Sequence, residues 1–141
     1  MAIVIDDHLL IDVVAETTTG WPREQVDQSV IYTTSAWYYR VANAAHRGSG
    51  AGTLSRRLAQ FPESVRRERI DNLPDWIGLL GPRLVVPVMA TIATRLRPNV
   101  LTAEALAVAV ITDGSLVVSI DSPLLRGGAA DLGVEYRVVE S

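Results

Sequence analysis

The chain has 141 residues, 48% of them apolar, a net charge of −3 and no cysteine. That length and composition fit one domain spanning 1–141 with a real core, and they exclude a disordered or fibrous chain, a disulfide framework and a thiolate metal site. Gly, Pro or a charge interrupts every apolar run before ~18 residues, and an acid pair stands where a basic leader would begin, so neither a membrane span nor secretion is expected.

Ile3 to Asp6 reads as a first strand. Asp6 or Asp7 then caps a helix reaching Glu16, with Leu9, Leu10, Val13 and Val14 on one face. Thr17 to Pro22 is rich in turn residues, and Pro22 opens a short second helix through Gln28. Val30 to Thr34 is a strand or extended entry. Ala36 to Arg47 is a helix carrying Trp37, Tyr38, Tyr39 and Val41. Gly48 to Gly52 reads as a hinge, since neither the preceding strand nor the lysine of a phosphate-cradling loop is present.

Leu54 to Ile70 is helical, rich in arginine and broken at Pro62. Asp71 to Trp76 is a turn into a helix start, Ile77, Leu79 and Leu80 give apolar surface, and Val88 to Leu96 is a helix ended by Arg97-Pro98-Asn99. Thr102 caps a helix over 103–112 with Glu104 in its first turn. Asp113-Gly114 turns into a strand over 116–121. Ser122 caps a last helix with Pro123 at its first position, and Val134 to Val139 is the closing strand. Strands alternating with helices predict an α/β fold, a three-layer α/β/α sandwich with a mainly parallel sheet of four or five strands.

Two of these strands, Ile3-Val4-Ile5-Asp6 and Leu116-Val117-Val118-Ser119-Ile120-Asp121, are apolar runs that stop on an acid. Ligands of open α/β sheets sit just past the carboxyl ends of such strands. Two carboxylates brought there repel each other unless a metal ion or a cationic side chain lies between them.

Four segments in order resemble the PIN-domain family, in particular the compact VapC-type ribonuclease toxins of bacterial toxin–antitoxin pairs. They are the opening Ile-Val-Ile-Asp6-Asp7-His8-Leu-Leu-Ile-Asp12, the stretch Arg40-Val41-Ala42-Asn43, Leu101-Thr102-Ala103-Glu104-Ala105-Leu106, and Val118-Ser119-Ile120-Asp121. The tail from Leu124-Leu125 to Leu132-Gly133-Val134 is similar to the family's closing helix and strand. The resemblance implies a cytoplasmic hydrolase that holds Mg²⁺ or Mn²⁺ on carboxylates and cuts RNA, inhibited by an antitoxin and commonly a homodimer. Hard divalent ions take oxygen ligands, polarise the phosphate and turn bound water into a nucleophile.

Carried over by position, the acidic quartet becomes Asp6, Arg40, Glu104 and Asp121. No Asp or Glu lies between Asp27 and Glu63, so the second acid is missing in any register. The guanidinium keeps its proton and can bridge carboxylates as the metal would. Two expectations follow. In one, Arg40 closes the site by a salt bridge, no metal is held, and the protein acts by binding protein or RNA. In the other, Asp6, Glu104 and Asp121, with Asp7 as an added metal ligand, form an active Mg²⁺- or Mn²⁺-dependent endoribonuclease. The plain alternatives are that Asp6 and Asp121 only cap helices, that Glu104 only answers a helix dipole, and that Arg40 and His8 are surface residues.

All thirteen basic residues are arginine, and those from Arg56 to Arg69 could meet RNA phosphates. The acidic whole lacks the field of a nucleic-acid binder, so any such contact is local.

Overall fold

The structure is a computed structural model that describes residues 1–15, 29–47 and 52–139. Its centre is a five-stranded, wholly parallel sheet. The strands are β1 (Ala2–Ile5), β2 (Val30–Thr33), β3 (Ile77–Leu79), β4 (Ser115–Val118) and β5 (Tyr136–Val138), in the order β3-β2-β1-β4-β5. Strand β1 pairs with β2 through Ile3 and Ile31, and with β4 through Val4 and Leu116. The chain leaves β1 toward one edge and returns through β4 on the other side, so the switch point of the sheet lies between these two strands. That is where open α/β sheets form their ligand crevice.

Alternate strand residues face opposite sides. Ile3, Ile5, Ile31, Ile77 and Val117 join one apolar core. It is completed by α1 (Asp7–Val14), α2 (Ser35–Arg47), α3 (Thr53–Leu58) and α4 (Glu63–Asp71). Val4, Leu116 and Val118 join a second core under α5 (Pro82–Leu96), α6 (Val100–Thr112) and α7 (Pro123–Leu132). Helices thus cover both faces, giving the three-layer sandwich expected from the alternating pattern. Every residue of α1 is buried, including Asp7, His8 and Asp12. Buried polar groups need partners, and these three acquire them in the site described below.

Several boundaries differ from the sequence reading. The turn after Asp71 leads into edge strand β3 rather than a helix. Its backbone is paired with β2, and Gly78 lies under Tyr32, whose ring would stand 2.5 Å from an added Cβ. Helix α5 begins at Pro82, six residues before the expected Val88, because Pro82 takes the first helical position and Pro87 is accommodated inside. Helix α6 is capped by Asn99, which accepts from the Thr102 N–H at 2.8 Å, so Thr102 is already in the first turn. Strand β4 ends at Val118, and Asp121 stands three residues beyond it. The expected helix over 22–28, the last residue of the first helix and most of the glycine hinge lie outside the described residues. Among the described residues, no helix is long and apolar enough to cross a membrane.

Candidate functional site

Asp6 leaves the end of β1 and caps α1: its Oδ1 accepts from the Leu9 N–H at 3.0 Å. Its Oδ2 accepts from both the N–H and the hydroxyl of Ser119, each at 2.8 Å. This carboxylate therefore ties the ends of β1 and β4 together across the switch point. It is only 4% exposed, and burial raises its pKa above the ordinary aspartate value against the pull of these hydrogen bonds.

Asp7 is equally buried. Its Oδ1 accepts from the His8 N–H at 2.9 Å, and its Oδ2 faces the Arg40 Nε at 3.4 Å. Arg40 comes from α2 with more than half of its side chain in solvent. The expected salt bridge of Arg40 is therefore made with Asp7, and not with Asp6 or Asp121, whose hydrogen bonds go to Ser119 and to Arg126. His8 sits between Thr53 and Arg57, each 3.4 Å from one of its ring nitrogens.

Asp121 has a different cation. Arg126, one turn into α7, reaches its Oδ1 with Nε at 3.2 Å and with a terminal nitrogen at 2.9 Å. The Tyr136 hydroxyl donates to the same oxygen at 2.9 Å and accepts from the Ser122 N–H at 2.8 Å. The Arg126 guanidinium lies over the Tyr136 ring, 4.9 Å from its centroid, a cation–π arrangement. The Tyr136 and Arg126 hydrogen bonds hold the Asp121 pKa below the ordinary value.

Glu104 points elsewhere. Its two oxygens accept from the Ala36 N–H at 2.9 Å and the Ser35 N–H at 3.1 Å. With Thr34, whose hydroxyl accepts from the Trp37 N–H at 3.0 Å, it satisfies the orphan donors that open α2. A carboxylate at the positive end of a helix is favourable on its own account.

Asp6, Asp7, His8, Arg40 and Asp121 therefore converge on one cavity of about 260 Å³, while Glu104 is not part of its lining. The family resemblance implies Mg²⁺ or Mn²⁺ here. Such ions need several free oxygens converging at ~2.1 Å. Both Asp6 oxygens accept from backbone and hydroxyl donors, one Asp121 oxygen holds the Arg126 guanidinium, Asp7 faces Arg40 at 3.4 Å, and Glu104 caps a helix. Among the described residues, no three Asp, Glu or His side chains form a group able to hold a metal ion. This donor set does not fit the ion.

Three participants escaped the sequence reading. Arg126 and Tyr136 carry no motif; only the spacing of Arg126 from Asp121, five residues across a helix start, hints at a contact. Asp12 is almost wholly buried in α1 and ion-paired to Arg57 of α3, which also donates to the His8 carbonyl at 3.1 Å. Burial raises the Asp12 pKa, with Arg57 opposing.

Comparison with solved structures finds a chain of VapBC-1 from nontypeable Haemophilus influenzae. It aligns over 98% of this chain and 98% of its own, with a TM-score of 0.59 and 12% sequence identity. At that identity the likeness establishes a common fold. No family model and no curated protein matches the sequence.

Proposed function

We propose that this protein is a VapC-like fold that acts by association and not by metal-dependent cleavage. The observation that carries this reading is the state of the carboxylates at the switch point, each already answered by a group of the chain itself. Three of the four positions that the resemblance marks as acidic are acids, yet their oxygens serve as a strand tie, a helix cap and a latch to Arg126. A divalent ion would have to displace charge-assisted hydrogen bonds to reach either oxygen of Asp6 or Glu104, or Oδ1 of Asp121.

The partner is proposed as a protein or an RNA. An antitoxin-like partner is consistent with the likeness to a chain of VapBC-1, and a homodimer is part of the same proposal. The direct test is cleavage of a structured RNA in Mn²⁺ by the wild-type chain and by Asp6→Asn. The reading expects no cleavage above the level of the variant. Cleavage by the wild type alone would overturn it in favour of an active endoribonuclease using Asp6 and Asp121.

A further inference from the structure

Arg40 stands on a wall shared by two cavities. On one side it meets Asp7 in the acidic cleft. On the other it lines a second cavity of about 260 Å³ with Asn43, Arg47, Thr53 and Ser55. Arg40, Asn43 and Arg47 follow one another at helical spacing on one face of α2, so two guanidinium groups lie two turns apart, ~10 Å along the axis, with an amide between them. Thr53 and Ser55 of α3 share the lining, the Thr53 hydroxyl also lying 3.4 Å from a ring nitrogen of His8. Among the described residues no carboxylate lines this cavity, in contrast to its neighbour.

A cavity built from guanidinium, amide and hydroxyl donors and holding no acid suits a tetrahedral oxyanion, for which the planar Arg fork is well matched. We propose that this cavity is a phosphate site, taking the phosphate of a phosphomonoester or of an RNA backbone. The inference rests on the association reading and adds a ligand class and a place to it. The contact of Arg40 with Asp7 is long and half in solvent, so it leaves that side chain free to turn toward an incoming anion. The carboxyl end of α2, at Arg47, works against an anion. Neither arginine suffices alone, and loss of either removes most of the binding.

The test is an amide NMR titration of the full chain in EDTA, at ionic strength held constant with chloride. One probe is inorganic phosphate; the other is a single-stranded oligoribonucleotide of ~10 nucleotides without a terminal phosphate. Saturable shifts at Asn43, Arg47, Thr53 and Ser55 are expected. They should weaken by about fivefold or more in both Arg40→Gln and Arg47→Gln and stay unchanged in Arg95→Gln. Saturation by inorganic phosphate alone assigns a phosphomonoester, and saturation by the oligonucleotide, with or without phosphate binding, assigns an RNA backbone phosphodiester. No saturation by either probe, or equal binding by Arg47→Gln, overturns the site and leaves the metal-free reading standing. Binding that appears only when Mn²⁺ replaces EDTA overturns that reading and the site with it.

Discussion

Asp6 and Ser119 lie 113 positions apart in the chain and hold the carboxyl ends of β1 and β4 together, one carboxylate oxygen accepting both the N–H and the hydroxyl of Ser119. The other oxygen of Asp6 caps α1. One side chain thus fixes a helix start and the switch point of the sheet. Ser119→Ala removes one bond to a charged acceptor and keeps the other. A loss of ~1.5 kcal/mol in chemical unfolding is expected, against ~3 kcal/mol for Asp6→Ala, which removes the cap as well.

The buried aspartates also set a pH dependence. Burial raises the folded-state pKa of Asp6 and Asp12 above 3.8. The folded state then binds more protons than the unfolded one between the two values. Their contribution is fully present below 3.8 and is lost as pH rises through the folded pKa. Asp121 is depressed and acts in the opposite sense: its contribution is present above 3.8 and is lost as pH falls through the folded pKa. Unfolding free energy measured from pH 3 to 7 should fall less steeply in Asp6→Asn than in the wild type. An unchanged slope would contradict the burial of that carboxyl.

Glu104 serves α2 and not the cleft. Glu104→Ala leaves the Ser35 and Ala36 N–H groups without their acceptor and should cost ~1 kcal/mol, the range of a helix cap. The same loss is expected with and without Mn²⁺ in thermal unfolding. A stabilisation by Mn²⁺ that disappears in the variant would place Glu104 among metal ligands.

Arg57 neutralises Asp12, which is nearly inaccessible. Arg57→Met strands that carboxylate and should cost ~3 kcal/mol, the lower end for a broken buried pair because a quarter of Arg57 is exposed. Asp12→Leu added to it should restore most of the loss, since an apolar pair of similar volume needs no counter-charge. A double variant as unstable as the single one would show that the ion pair is not the reason for the loss.

The layers of the fold were legible because Ile, Val and Leu runs alternate with amphipathic stretches, and the acids at the ends of β1 and β4 marked the crevice. The errors have local causes. Ile77-Gly78-Leu79 is too short to show a period, and only its pairing with β2 makes it a strand. Asn99 and Thr102 are both good caps, and the backbone N–H of Thr102 decides between them. Of the site, Asp6 and Asp121 at one crevice could be read from their strands, and Asp7 and Arg40 joined them only through the family resemblance. Their pairing could not be read from either. Arg126 follows Asp121 on a helix whose direction is fixed by packing against Leu106, so tightly that a Cβ on Gly128 would stand 2.7 Å from it. The orientation of Glu104 depends on where α2 begins, 68 positions away in the chain.

Calorimetric titration of the wild-type chain with Mn²⁺ and with Mg²⁺ tests the central claim most directly, that the cleft carboxylates are answered from within. No saturable heat at sub-millimolar ion is expected, for the wild type and for Asp121→Asn alike. Sub-millimolar binding by the wild type that is lost in Asp121→Asn would contradict the account.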